Sequence, residues 1–378
     1  MLHVVLDTSA YRSNPRRNSP PFRSLSSLAR AGKLKIYIPY LVKREFLSQQ
    51  YEQIGKALKG LKGHAEDLRI TTASVRLTNL AERTLALSAV ETPRIIAAAD
   101  REFKSWQRDV HAEEIPISIG HAQGAFIDYF AGNPPYKFIK NKPDIPDGFI
   151  WRCIVALAEQ KGFIHFIVED EALRSSADDI LNVTAYKKLN GFIQTVDVLN
   201  ALRDLSRSAF ATANLARMTG LLPEFEKVLH DQMDRLIVDA LVGREVVNDE
   251  IPDDNREGTV TMVGGASQTK FDLENVEYFS DEEIGVRFQL ITECTLNYAI
   301  YKADFYLLDE DKQEQISIDE RNDHYYDADE EYTLGVTGLL TLKFNIDVLS
   351  DDELGEEELR NLADMAEYSI EIDDVTVE

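Results

Sequence analysis

The feature that most restricts the fold is a set of short, mostly apolar runs in the first 200 residues, each stopped by an acid or a proline. Leu2-His-Val-Val-Leu6 ends in Asp7-Thr8-Ser9, Leu34-Lys-Ile-Tyr-Ile38 ends in Pro39, and Phe163-Ile-His-Phe-Ile-Val168 ends in Glu169-Asp170-Glu171. Runs of this length and content read as strands buried on both faces. The stretches between them have helical spacing, so the series alternates β and α and predicts a parallel sheet with helices packed on it. A carboxylate just past the C-terminal end of a parallel strand faces the crevice where open α/β sheets bind their ligands. Asp7 and Asp170 are both placed that way.

The segments between the strands supply further candidates. A polar loop over about Ser13–Pro21 carries Arg16 and Arg17 and is flanked by Arg12 and Arg23. It reads either as a plain surface loop or as a set of phosphate contacts. A helix is expected over about 22–31, closed by Gly32, and Pro39 opens another that brings Glu45 to within two turns of the sheet. From about 49 to 109 the pattern is helical, with a break expected at Thr92-Pro93. Leu77, Leu80, Ala81, Leu85 and Leu87 form a stripe that predicts a core face. This stretch reads as a helical insertion over about 50–130. The lone His64, His111 and His121 show no metal-ligand spacing. In the loop that follows, Tyr136 and Phe138 alternate with Lys137, Lys140 and Lys142. The rings suit stacked bases and the lysines phosphates, although an apolar loop anchor accounts for the rings equally well. Asp144 and Asp147 precede a helix expected over Gly148–Gln160, where Asp147 could serve simply as its cap. A helix around 176–181 and a last strand over 191–198 complete the series.

Beyond about residue 250 the hydrophobic period changes to two. Leu340, Leu342, Phe344, Ile346 and Val348 alternate with polar residues, and Val286, Phe288, Leu290, Ile370 and Ile372 continue the pattern. This predicts half-buried antiparallel strands, arranged as a small sandwich or meander. The expected domains are an α/β unit over 1–205, a helical connector over 206–248 and, after the acidic linker Asn248–Glu257, a β-rich unit over 256–378. Charge divides the same way. Residues 249–378 hold 37 acids and 8 bases, a net of −29, while residues 1–248 hold 29 and 33, a net of +4. The first part can approach a polyanion and the second repels one. Cys153 and Cys294 give no disulfide framework, and no apolar run is long enough to span a bilayer. A soluble, cytoplasmic protein is expected. Acidic runs such as Asp351-Asp352-Glu353 read as solvated surface.

Nothing in the chain has the spacing of a Gly-rich phosphate loop, a zinc finger or a nucleophile triad. What remains is the ordered acidic set Asp7, Glu45, Asp147 and Asp170. Carboxylates gathered at one edge repel unless a cation neutralises them, and a hard divalent ion bound by oxygens can assist in-line attack on a phosphodiester.

These residues resemble the PIN domain family. Asp7-Thr8-Ser9 after an apolar strand is similar to its opening signature. Ile38-Pro39 with Glu45, Ile145-Pro146-Asp147-Gly-Phe-Ile and Val168-Glu169-Asp170 with Leu173 follow its later acidic motifs in order, although Val168 stands where the family often has Thr or Ser. The longer string from Pro134 to Trp151 is similar to a PIN-like subfamily with a large insertion. The resemblance covers about residues 1–200 and implies a three-layer α/β/α fold. It further implies an endoribonuclease that uses Mg²⁺ or Mn²⁺ and acts mainly on single-stranded RNA. Asp7, Glu45, Asp147 and Asp170 would hold the metal, with Ser9 supporting them and Asp144 or Glu169 able to substitute. A catalytically inactive PIN-like module binding RNA or a protein is the alternative. The acidic C-terminal region resembles no family; partner binding, self-association and occupation of the basic groove are its open readings.

Overall fold

The computed structural model describes all residues except 73, 179, 206–217, 221, 281, 345–356, 358–360 and 362–364, and omits the side chains of 87–93, 96, 178 and 224. The chain divides into two compact units, Met1–Ala201 and Leu202–Glu378.

The first unit is built on a five-stranded, wholly parallel sheet. Its strands are β1 (Leu2–Leu6), β2 (Leu34–Pro39), β3 (Glu113–Ile115), β4 (Ile164–Ile167) and β5 (Val183–Tyr186). Their spatial order is β3-β2-β1-β4-β5. β1 is the central strand, and Val4, Val5 and Leu6 are buried, as is the whole of β4. That burial on both faces is why these strands read as continuous apolar runs rather than alternating ones. Helices α1 (Thr8–Ser13), α2 (Pro20–Arg30), α5 (Ile119–Ala131), α6 (Ile145–Lys161), α7 (Glu171–Asp178), α8 (Leu189–Ile193) and α9 (Val196–Arg203) flank the sheet and make the three-layer α/β/α architecture.

The insertion is a helical hairpin of α3 (Tyr40–Thr71) and α4 (Val75–Asp109). α4 runs through Pro93 rather than breaking at Thr92-Pro93, and the interruption comes earlier, with α3 ending at Thr71 and α4 starting at Val75. A proline inside a helix removes one backbone hydrogen bond, a loss borne here by a long helix packed along α3. The stripe expected as a core face is mostly wet. Ala81 is buried, but Leu77 and Leu80 are exposed, and the side chain of Leu87 lies outside the described residues. A two-helix ribbon offers each helix a single partner, too narrow a contact to cover so wide a stripe. At the base of the hairpin, Phe46, Phe103 and Trp106 close an aromatic cluster with Tyr11 and Phe22.

Two further expectations shift. The strand read over 191–198 is helical, because Leu189, Phe192 and Ile193, then Val198 and Leu202, are buried at spacings of three and four rather than two. The strand that closes the sheet is β5, upstream. α6 begins at Ile145, three residues earlier than expected, so Asp147 lies within its first turn and Asp144 holds the N-cap position without a side-chain cap bond.

Among the described residues the second unit forms one antiparallel sheet rather than a sandwich, and because β7 pairs with β9 and β9 with β11 its order is not a simple meander either. Its strands are β6 (Glu245–Val247), β7 (Glu257–Val263), β8 (Ser267–Ser280), β9 (Glu283–Tyr301), β10 (Ile316–Glu320), β11 (Tyr325–Lys343) and β12 (Glu367–Val377). β9 and β11 pair along 19 residues each. β7 and β8 share the far edge of β9, and β10 and β12 share that of β11. The helix Glu226–Leu241, expected as part of a connector, packs on β7 and β12 through Leu229, Met233, Ile237 and Leu241, one buried row at i, i+4 spacing. The segment 248–257, expected as a linker, is the turn between the paired strands β6 and β7. Ile346, Val348 and Asp351–Glu353 lie outside the described residues.

Candidate active site

Asp7 follows β1 directly and caps α1. Its Oδ2 accepts hydrogen bonds from the Ser9 backbone N–H at 3.1 Å and from Ser9 Oγ at 2.8 Å, and its own N–H donates to the Ile167 carbonyl. Ser9 Oγ in turn accepts from the Glu169 N–H at 3.3 Å, so one hydroxyl ties the end of β1 to the end of β4. Thr8 Oγ1 donates to Glu45 Oε2 at 2.9 Å, which anchors the α3 carboxylate to the same edge. Asp170 Oδ1 accepts from the Leu173 N–H at 2.9 Å and starts α7. Asp144 accepts from Asn141 and from the Lys137 N–H. Glu169 turns toward Arg12, with its carboxylate 3.7 Å from the guanidinium.

Asp147 reports how these acids stand to one another. Its carboxyl is pushed up from an ordinary value near 3.8 to about 7, first by burial and then by the negative charges of Asp7, Asp170, Asp144 and Glu45. The first turn of α6 opposes this, since a helix N-terminus favours an anion. Five acids from four segments of the chain therefore interact at one end of the sheet, beside the point where the chain leaves β1 toward β2 on one side and β4 on the other. That is the topological switch point, where open α/β sheets hold ligands. Among the described residues, however, no three acidic, His or Cys side chains stand close enough to enclose a metal ion.

The residues expected to touch nucleic acid separate into two groups. Arg12, Arg16, Lys137, Lys140 and Lys142 are exposed. Arg17 is buried, and its guanidinium lies 5.1–5.9 Å from the ring centroids of Phe46, Phe103 and Trp106. Desolvation lowers its pKa. It locks the 14–19 loop onto the hairpin and offers nothing to a phosphate. Tyr136 is buried too, with its hydroxyl donating to the Ala125 carbonyl at 3.1 Å, and its burial pushes the hydroxyl up to about 12. A Cβ on Gly148 would collide with that hydroxyl, so a glycine at this position lets α6 pack on Tyr136. Of the loop's two readings, the apolar anchor holds for Tyr136. Thr8 was not singled out from sequence, because its partner Glu45 is remote in the chain.

A parallel three-layer α/β/α unit with an acidic switch point defines the class. The family model described as PIN domain matches residues 4–172, so this stretch is a PIN domain, and no family model covers the C-terminal region. PIN domains are generally nucleases, usually use divalent metals and commonly bind RNA. No curated protein and no solved structure matches the chain. Among the described residues no helix is long and apolar enough to cross a membrane.

Proposed function

We propose that the N-terminal unit is a metal-dependent endoribonuclease that hydrolyses phosphodiester bonds of single-stranded RNA. The observation that supports this most is the Asp147 carboxyl, held near pH 7 by burial and by four neighbouring acids. An array of hard oxygen donors that repel one another has the chemistry of a divalent-cation site. Mg²⁺ commonly takes only one or two carboxylates and keeps its remaining waters, so the acids fit a hydrated ion without enclosing it. Asp7, Glu45, Asp147 and Asp170 are the residues that would hold it. When bound, such an ion would offset charge on the phosphoryl oxygens and polarise a water for in-line attack. Ser9 fixes the Asp7 carboxylate and Thr8 that of Glu45, so neither must be ordered when substrate arrives. Asp144 and Glu169 are the supporting acids, and Arg12 and Arg16 are exposed cations for the RNA backbone.

The test is cleavage of labelled single-stranded RNA by the full-length protein with Mn²⁺ or Mg²⁺. Asp7→Asn and Asp147→Asn are expected to abolish it, and equal cleavage by either variant overturns the assignment. The absence of any three enclosing side chains among the described residues favours a second reading, a catalytically inactive module that binds RNA or a protein. Retained RNA binding in EDTA with no cleavage under either metal would establish that reading instead.

A further inference from the structure

The face made by α5 and the loop after it carries five large apolar side chains in solvent. Phe126, Ile127, Phe130, Phe138 and Ile139 are between 44% and 64% exposed. Phe126, Ile127 and Phe130 line one stretch of α5, and Ile139 and Lys140 of the following loop lie against its end, next in sequence to Phe138. The Lys140 N–H donates to the Tyr129 carbonyl, Ile139 packs against Gly132 at the end of α5, and the Lys140 ammonium stacks over the Phe130 ring at 5.9 Å. A shallow groove runs along α5 between Ala122, Phe126 and Phe130. Scattered exposed apolar residues are ordinary, but a continuous patch of rings marks a binding surface.

Charge identifies the occupant. Lys140 lies over the Phe130 ring, Lys137 and Lys142 are exposed on the same loop, and among the described residues none of the three ammonium groups has a carboxylate within ion-pairing distance. Three acids act on Tyr136 of this loop: Asp128, Asp147 of the crevice, and Asp144. Asp128 is buried against the Arg152 guanidinium with two bonds of 2.6 Å, and Asp144 accepts from Asn141. The surface is therefore aromatic and cationic at once. Its loop end meets the acidic crevice through Asp144, which accepts from the Lys137 N–H at 3.5 Å and whose charge reaches Asp147.

We propose that this face is a single-stranded RNA site, with bases stacked on Phe126, Phe130 and Phe138 and phosphates against Lys137, Lys140 and Lys142. Rings accept any base, while lysines track the backbone, so the strand is held without regard to sequence. The choice of RNA rests on the nuclease reading above; the aromatic–cationic pairing does not. The site carries a strand to or from the acids and takes the place of Tyr136, whose ring is unavailable.

The test uses the full-length protein in EDTA, where cleavage is blocked, with a labelled oligouridylate of about 12 nucleotides followed by fluorescence anisotropy. Phe130→Ala and Phe138→Ala are each expected to weaken binding at least about fivefold, and Lys140→Ala to flatten the dependence of affinity on salt. Phe130→Trp should retain affinity, and its added indole fluorescence should be quenched by the RNA. Wild-type affinity in both alanine variants overturns the site, as does absence of binding by the wild type. Loss of self-association in Phe130→Ala at unchanged RNA affinity assigns the face to a second copy of the chain and also overturns it. Cleavage in Mn²⁺ by Asp147→Asn bears on the nuclease reading alone, so the two failures are told apart.

Discussion

Replacing Asp147 by Asn should stabilise the metal-free protein above neutral pH while removing its activity. The wild-type carboxyl binds its proton more tightly in the folded state, near pH 7, than in the unfolded chain, near 3.8. Stability attributable to this group is therefore full below about pH 4, declines as pH rises from about 4 to 7, and is constant above that. A shift of about three units corresponds to roughly 4 kcal/mol at most. Asp147 is only partly buried, and solvent screening reduces this to about 2 kcal/mol. For a unit of this size that is a rise of about 4–8 °C in Tm. Both tryptophans, Trp106 and Trp151, lie in the N-terminal unit, so their fluorescence follows its melting specifically. The assay is Tm against pH for wild type and Asp147→Asn in EDTA. The gap should open between about pH 4 and pH 7 and then level off. Adding Mn²⁺ at alkaline pH should close it by stabilising the wild type. A gap that does not change across this range refutes the electrostatic reading of the crevice.

The remaining predictions concern packing. Arg17→Ala should lower the Tm of the N-terminal unit by the equivalent of about 2 kcal/mol, since it empties an aromatic box and removes its cation–π contacts. It should leave the salt dependence of RNA binding unchanged, whereas Arg16→Ala should reduce the slope by about 0.7; filter binding across a salt series separates the two. Gly148→Ala should cost about 1–3 kcal/mol, because the new methyl displaces the Tyr136 hydroxyl, as measured by denaturant unfolding. In the C-terminal unit, the buried Glu330 accepts from Tyr298 and Tyr332 and pairs with Lys312. Glu330→Ala leaves those donors unpaired and should cost about 3 kcal/mol, read by far-UV circular dichroism of the full-length protein.

The parts of the fold legible in sequence were those whose signal is local. β1, β2 and β4 are buried on both sides and show it as uninterrupted apolar runs, and the row Leu229, Met233, Ile237 and Leu241 is helical by its own spacing. β3 and β5 were not legible, because three or four residues hold too little periodicity to be told from a loop. The order of the four acids was visible, but their interaction was not, since it depends on a sheet order that no single segment encodes. The burial of Arg17 was not legible, and the choice between the two readings of Tyr136 stayed open, for a related reason. Each sits among charges and prolines that mark a surface loop, yet each is buried by partners far off in the chain: Phe103 and Trp106 for Arg17, Ala125 and Gly148 for Tyr136. Thr8 was passed over because a hydroxyl beside an acid has no distinguishing signal until Glu45 arrives.

The strand order has a consequence for the time course of synthesis. β4 lies beside β1 in the middle of the sheet, yet it is made after the entire helical hairpin. A growing chain that has released Asp7 and Glu45 thus has the first two acids but no central partner for β1, and no Asp147 or Asp170. The proposed acidic crevice is complete only when β4 lies beside β1 and the Ser9 hydroxyl meets the Glu169 N–H. Until then the sheet is unfinished, and the acids that follow β1 and β4 are not yet joined at one edge.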